Sequence, residues 1–136
     1  MKRARPRILS ASAEPLLFET RNRVLESAGF DVVRCMRGIG AREWFRGERF
    51  DAVVLGGFDD LGIRRSLIDE FKRQRLNVPI LVVYHLDDPW ETYAGADQTM
   101  ESLDGPKQLI SLVGQMIKFL PASATPRDAA AAHAGD

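Results

Sequence analysis

Short apolar runs rich in β-branched residues alternate along the chain with segments in which apolar residues recur every three or four positions. The first pattern is typical of buried strands and the second of amphipathic helices. Strands are predicted at residues 8–11, 30–35, 51–55, 79–84 and 99–101. Helices are predicted at residues 14–28, at 40–47, around Leu67, Ile68 and Phe71, and at 109–120. This alternation indicates an α/β domain with a parallel sheet.

The patterns differ in strength along the chain. Residues 51–55 form a continuous apolar run that ends at Gly56 and Gly57, as expected for a central strand covered on both faces. The last helix has the i, i+3, i+4, i+7 spacing of an amphipathic helix. Residues 87–94 have a weak signal, and Pro89 allows at most a short helix there.

Length and composition favour a single domain. The chain has 136 residues, enough to bury a substantial core. We expect a basic arm at residues 1–6, a folded domain at 7–120 and a disordered tail at 121–136, with no second domain. The tail is rich in Ala, Ser, Thr, Pro and Gly and has no face that it could bury.

Charge and cysteine content make several classes of function improbable. The 19 Lys and Arg residues balance 19 Asp and Glu residues, so no overall field attracts nucleic acid or an anionic membrane. The basic clusters, at Lys2 to Arg7 and at Arg64-Arg65 with Lys72-Arg73, are interpreted as solvated surface. No apolar run is long enough to span a bilayer or to act as a signal peptide. Cys35 is the single cysteine, which excludes an internal disulfide and suits a cytoplasmic location.

The order of the predicted elements suggests a flavodoxin-like doubly wound sheet of five parallel strands, in the order 2-1-3-4-5. Residues 7–120 also resemble the receiver domains (CheY-like) of bacterial two-component response regulators. The matching segments are Ile8-Leu9, Glu14-Pro15-Leu16-Leu17, Gly29-Phe30-Asp31-Val32, Phe50 to Leu55, Pro79 to Val83, Gly95-Ala96-Asp97, and Pro106 with Leu109. The resemblance implies a role in a phosphorelay and a phosphorylation site at the carboxyl edge of the sheet.

This sequence departs from the family at the positions that carry its chemistry. Ser12 and Ala13 stand where receivers have the acidic pair that holds Mg²⁺. Gly56 stands in place of the phosphate-accepting aspartate, and Tyr84 in place of the Thr or Ser that contacts the phosphoryl group. Ser102 replaces the lysine that ends the fifth strand.

These replacements remove what phosphoryl transfer needs. A glycine has no nucleophile, and Ser12 with Ala13 offers few oxygen ligands to a hard cation. Ser102 cannot balance charge as a lysine does. The sequence therefore predicts a degenerate pseudo-receiver with no cofactor, no metal and no enzymatic activity.

The segment between Tyr84 and Gly95 is shorter than the family usually has, so a shortened or missing fourth helix is expected. This changes a face that many receivers use for dimerisation, and we expect at most a weak homodimer. Trp90 and Tyr93 lie in this segment and would make interface anchors if they were exposed. Trp44 is predicted to lie in the core.

Several polar residues have a chemical and a structural interpretation. Asp59 and Asp60 would make a displaced phosphate acceptor or begin the next helix, and the second is favoured. His85 would act as a general base or metal ligand, and an ordinary loop histidine is favoured. Ser10 or Ser12 would pair with His85 as a nucleophile, but no nucleophile elbow surrounds them, and Ser12 is predicted to cap the first helix.

Small residues have similar alternatives. Gly56 and Gly57 permit an unusual backbone angle or leave room for a ligand or for the Tyr84 ring, and the ring is favoured. The segment Gly38-Ile39-Gly40 lacks the third glycine of a phosphate-binding loop and is interpreted as a turn. Cys35 is predicted to be a buried apolar residue.

The function predicted from sequence is phosphorylation-independent binding to a protein partner, which would be a kinase, a regulator or a second copy of the chain. The alternative is a sensor or enzyme that binds a nucleotide or flavin in the crevice at the carboxyl edge, since this fold hosts many ligands. Binding of nucleic acid through the basic clusters ranks third.

Overall fold

The structure is a computed structural model that describes residues 5–118. These residues form the strands β1 (Arg7–Ala11), β2 (Asp31–Cys35), β3 (Ala52–Leu55), β4 (Ile80–Tyr84) and β5 (Gln98–Glu101). They also form the helices α1 (Pro15–Ser27), α2 (Gly38–Gly47), α3 (Leu61–Gln74) and α4 (Pro106–Ile117). The predictions for the tail, and for most of the amino-terminal arm, lie outside the described residues.

The strands pair in parallel in the order β2-β1-β3-β4-β5, which confirms the predicted flavodoxin-like doubly wound sheet. Successive side chains of each strand point to opposite faces of the sheet, so two cores form. One core packs against α2 and α3 and includes Leu9, Val53, Leu55, Ile80, Val82, Phe45, Leu67 and Phe71. The other packs against α1 and α4 and includes Ile8, Val54, Leu81, Val83, Leu25, Leu109 and Val113.

The helix ends follow from local sequence. Helix α1 begins at Pro15, a position where the missing N–H costs no hydrogen bond. Gly29 follows α1 with a φ of 102°, a left-handed conformation that favours glycine, so the predicted stop is confirmed. Helix α3 begins after Asp60, whose carboxylate accepts a hydrogen bond from Gly62 N at 2.9 Å. This confirms the structural interpretation of Asp60.

A single 3₁₀ turn, Trp90–Thr92, lies between β4 and β5, where the resemblance places the family's fourth helix. This confirms that the helix between these two strands is shortened; α4 follows β5 instead. Within residues 5–118, no helix has both the length and the apolar character needed to cross a membrane.

The prediction that Trp44 lies in the core is wrong, because its side chain is 42% exposed while the neighbouring Phe45 is fully buried. Adjacent helix positions are turned by about 100°, so only one of the two faces the sheet. The same reason applies in α1, where Phe18 is buried and Leu17 is 38% exposed. Cys35 is buried, as predicted.

Candidate functional site

The carboxyl ends of the strands meet at one edge of the sheet, where ligands bind in folds of this type. Backbone hydrogen bonds join the segments that leave the strands, from Gly56 N to Ala11 O at 2.9 Å and from Ser102 N to Tyr84 O at 2.7 Å. The positions that the resemblance predicted to form a degenerate phosphorylation site all lie at this edge: Ser12, Ala13, Gly56, Tyr84 and Ser102.

The space beside Gly56 and Gly57 is already occupied. A Cβ on Gly56 would lie 2.5 Å from Arg21 Nη2 and 2.8 Å from Ser12 Oγ, and a Cβ on Gly57 would lie 2.6 Å from Glu14 Cδ. Neither glycine has a positive φ. Glycine is therefore required here to leave room for these side chains and not to permit an unusual backbone angle.

The prediction that the Tyr84 ring fills the space beside Gly56 is wrong. Tyr84 points to the same face of the sheet as Ile80 and Val82, and packs against the core under α2 and α3. Its ring stacks on Tyr93, with 4.9 Å between centroids and 14° between planes. Arg21 fills the space instead and reaches it from α1, on the opposite face.

Arg21 is a half-buried cation for which residues 5–118 supply no hydrogen-bond acceptor. Its Nη2 atom is buried and has no hydrogen-bond acceptor among residues 5–118. Burial lowers the pKa of Arg21 below its usual value, and the nearby Glu14 charge partly opposes this shift. Sequence reasoning missed this residue, although Arg21 falls between Phe18 and Leu25 at the spacing of the buried helix face.

Arg64 approaches the same edge from α3 and is fully buried. It donates hydrogen bonds to Gly56 O at 3.0 Å and to Thr92 Oγ1 at 2.9 Å, and pairs with Asp88 Oδ2 at 3.1 Å. The interpretation of Arg64 as solvated surface is therefore wrong. Its position one turn before Leu67 and Ile68, on their face of the helix, was the signal for burial.

His85 connects three loops at this edge. Its Nε2 lies 2.6 Å from Glu14 Oε2, and its Nδ1 lies 2.8 Å from Ser102 Oγ. Ser102 Oγ also donates to Glu101 Oε2 at 3.0 Å. The two serines that the sequence suggested as partners of His85 bond elsewhere, Ser10 to Asn22 and Ser12 to the Gly57 carbonyl. Ser12 does not cap α1 either, because the cap position is Glu14.

The Ser102, His85 and Glu14 side chains have the connectivity of a nucleophile, a base and an orienting carboxylate. Nucleophilic catalysis also needs free N–H groups for an oxyanion. The amide of Ser102 donates to Tyr84 O, and the amide of Leu103 donates to the Glu101 carboxylate at 2.8 Å. These amides are committed to other acceptors, and the Ser102, His85 and Glu14 side chains link the loops that carry them.

The residues at this edge do not fit a divalent cation. Among residues 5–118, no three or more His, Cys, Asp or Glu side chains are grouped so that they could hold a metal ion. The Ser12 hydroxyl already donates to Gly57 O at 3.1 Å, and the Arg21 guanidinium beside Gly56 would repel a cation.

Trp90 and Tyr93 differ in their accessibility. Trp90 is 61% exposed and contacts Tyr93 edge-on, at 5.2 Å between centroids. Tyr93 is half-buried and packs between Trp90 and Tyr84. Of the two, Trp90 is the side chain that a partner would reach.

A small cavity of about 120 Å³ opens beside Arg21 on the face of α1 and α4. Pockets for drug-sized ligands usually have volumes of roughly 300–1,000 Å³. The cavity is therefore too small for a nucleotide or flavin. Its lining residues are Leu17, Thr20, Arg21, Val24, Met100, Ser102, Asp104, Gly105, Pro106 and Leu109.

Neither a protein-family model nor a curated protein sequence matches this chain. Solved structures do. A CheY-like response regulator receiver domain protein from Methanospirillum hungatei has a TM-score of 0.75 and 16% identity, over 85% of this chain and 95% of that one. The signal receiver domain of a signal transduction histidine kinase from Syntrophus aciditrophicus has a TM-score of 0.74 and 20% identity, over 83% and 90%. The chain therefore has the fold of the response-regulator receiver domains of two-component signalling.

Proposed function

We propose that this chain is a pseudo-receiver that binds a protein partner in two-component-type signalling without being phosphorylated. The observation that carries the proposal is the crowding at Gly56, where even a Cβ would collide with Arg21 and Ser12. An acceptor aspartate there would collide with these side chains, and the Arg21 cation beside it would repel a divalent metal ion. In this proposal the protein is cytoplasmic, is not an enzyme and needs no cofactor.

The first experiment tests phosphorylation chemistry. The chain is titrated with beryllofluoride and Mg²⁺ and observed by NMR, with acetyl phosphate and Mg²⁺ as a second titration. An unmodified receiver domain that has its acceptor aspartate is the positive control. We expect saturable shifts in the control and none in this chain. Saturable, Mg²⁺-dependent shifts in this chain would overturn the proposal.

Trp90 is the proposed anchor for the partner. Large aromatic side chains dominate many protein interfaces. Two more exposed apolar side chains flank the same edge of the sheet, Leu86 after β4 and Leu103 after β5. In this proposal the aromatic turn, which replaces a helix, supplies the contact surface.

The anchor is tested by comparing two tryptophans. Trp90→Ala and Trp44→Ala each remove an exposed indole, but Trp44 lies on α2, away from the proposed surface. Proteins captured from native cell extract by the immobilised chain are quantified by mass spectrometry. We expect specific capture to fall about tenfold or more for Trp90→Ala and to persist for Trp44→Ala. Equal capture by both variants would show that Trp90 is not the anchor.

A further inference from the structure

The cavity beside Arg21 is mostly apolar and is lined by a few polar side chains. Apolar side chains from α1, β5 and α4 form most of its wall: Leu17, Val24, Met100, Pro106 and Leu109. Its polar lining comes from Thr20, Arg21, Ser102 and Asp104. An apolar cavity with a few polar groups is the usual composition of a small-molecule site.

Arg21 lines this cavity and carries an unsatisfied donor, the buried Nη2 atom beside Gly56. A guanidinium has five N–H donors, and a buried one without acceptors is costly. Glu14 is the nearby carboxylate, but its Oε2 bonds His85 at 2.6 Å, and no ion pair joins it to Arg21 within residues 5–118. Arg21 therefore lacks the hydrogen-bonded anion that half-buried arginines usually have.

We propose that this cavity binds a short aliphatic monocarboxylate, with its carboxylate on the Arg21 guanidinium and its tail among the apolar side chains. The planar guanidinium matches a carboxylate with two parallel hydrogen bonds. The volume of about 120 Å³ leaves room for a ligand with on the order of five heavy atoms.

The surroundings favour a monocarboxylate over a phosphate. Three acidic side chains lie at this edge, Glu14, Glu101 and Asp104, and Arg21 is the one cation among the described residues that line the cavity. A dianion would be repelled by them and would have to leave its water shell in a mostly apolar cavity. A monoanion with an apolar tail satisfies the guanidinium and gains from burial.

Hydrogen bonds connect the cavity to the loops at the carboxyl edge of the sheet. Ser102 lines the cavity and hydrogen-bonds His85, which in turn bonds Glu14. A carboxylate on Arg21 would compete with the Glu14 charge, so a bound ligand would alter the loops that carry this network. The inference does not depend on the proposed partner binding, and holds whether or not the chain is phosphorylated.

The ligand class is tested by titrating the whole chain with acetate, propionate and butyrate, followed by NMR. We expect saturable shifts around the cavity, with a dissociation constant for butyrate on the order of 1 mM. Affinity should rise about fourfold for each added methylene. Butan-1-ol and inorganic phosphate are the comparison ligands and should bind at least tenfold more weakly. Equal binding of butan-1-ol or of phosphate, or no saturation by any carboxylate, would overturn the proposal.

The role of Arg21 is tested with Arg21→Met, and Arg23→Gln is the matched control. Arg23 lies on the same helix but is exposed and paired with Glu19. We expect butyrate binding to fall tenfold or more in Arg21→Met and to stay within twofold in Arg23→Gln. Retained binding in Arg21→Met would overturn the assignment. If Arg21→Met does not fold, the comparison of butyrate with butan-1-ol on the unmodified chain still decides the question.

Discussion

Arg21 and Arg64 approach Gly56 from opposite faces of the sheet, and their surroundings differ. Arg64, on the α3 side, is fully buried and bonds Gly56 O, Thr92 and Asp88. Arg21, on the α1 side, has a buried Nη2 atom without an acceptor among the described residues and borders a cavity. Both arginines lie next to a strand end where a receiver would carry out its chemistry.

The difference separates a structural cation from one that is available for binding. Arg64 bonds Gly56 O at the end of β3, Thr92 O in the 3₁₀ turn Trp90–Thr92, and Asp88 in the loop before that turn. Together these bonds tie the turn and the loop to the end of β3. Arg64 therefore takes the place of the missing helix in fixing this part of the chain. Arg21 makes no such hydrogen bond among the described residues, and the nearby Glu14 carboxylate is bonded to His85. In our proposal a bound carboxylate supplies the missing acceptor.

The largest expected effect comes from Arg64→Met. The change removes the Arg64 donors of the Gly56 and Thr92 carbonyls and of the Asp88 carboxylate, which is 10% exposed and still accepts from His85 N at 3.0 Å. Removing one partner of a buried ion pair costs about 3–5 kcal/mol, and the free energy of unfolding in urea should fall by this amount.

Arg65→Met is the control for this change. Arg65 is the next residue. Its pair with Asp69 is about half exposed on both sides, and its hydrogen bond to Glu91 O in the turn, at 3.1 Å, is exposed as well. Its loss should cost less than about 1 kcal/mol. Equal, small losses for the two variants would show that Arg64 does not hold the turn in place.

The second prediction concerns Gly56→Ala. The new methyl would lie 2.5 Å from Arg21 Nη2 and 2.9 Å from Ser12 Cβ, so both side chains must move. We expect the free energy of unfolding to fall by about 1–3 kcal/mol, which is the usual cost of overpacking. Gly47→Ala is the control, because a Cβ there meets nothing within 4 Å. It should leave stability unchanged or raise it by about 0.5 kcal/mol.

A double-mutant cycle then assigns the crowding to Arg21. In an Arg21→Ala background, the cost of Gly56→Ala should shrink but should not vanish, since Ser12 remains. An unchanged cost would mean that the Arg21 side chain does not occupy the space beside Gly56.

The smallest expected effect is on the reactivity of the Cys35 thiol, which reports on solvent access to the core under α2 and α3. Burial raises the pKa of the Cys35 thiol above its usual value. The folded state therefore favours the neutral thiol, and this contribution to stability is present below the unfolded pKa of about 8.5 and is lost as pH rises through the folded pKa. Reaction of Cys35 with a disulfide reagent at pH 8 should be about tenfold slower in the folded than in the urea-unfolded chain.

A second cysteine variant is the control for this measurement. Met36 is 47% exposed and directly follows Cys35. A thiol placed there by Met36→Cys, together with Cys35→Ala, should react at nearly the unfolded rate. Fast reaction of Cys35 itself would show that this end of the core is open to solvent.

Much of the fold could be predicted from local pattern. The residues of β3 are apolar on both faces, which predicted a central strand, and β3 occupies the centre of the sheet. The stop at Gly29 and the missing fourth helix followed from backbone preference and from chain length between elements. The predicted positions of the candidate site also meet at one edge, because strand order alone brings the strand ends together.

The sequence failed to predict which large side chains lie beside Gly56 and which lie in the core. The Tyr84 ring was expected beside Gly56, but alternation along β4 points it to the other face. Trp44 was expected in the core, but Phe45 occupies that side of α2. In both errors the uncertain point was the direction of a large side chain, towards one face of the sheet or the other for Tyr84, and towards the core or the solvent for Trp44. That direction depends on how the strand or helix packs against its neighbours.

The sequence by itself determined the sheet and its order, and it put Ser12, Ala13, Gly56 and Ser102 near the ends of strands, because these depend on residue type and position along the chain. Only the tertiary structure decided that Arg21 and Arg64 converge on Gly56, that His85 joins Glu14 to Ser102, and that a cavity opens beside Arg21. The physical reason is that long polar side chains reach across elements. Where their charged ends lie is set by packing between helices and the sheet, which no local pattern records.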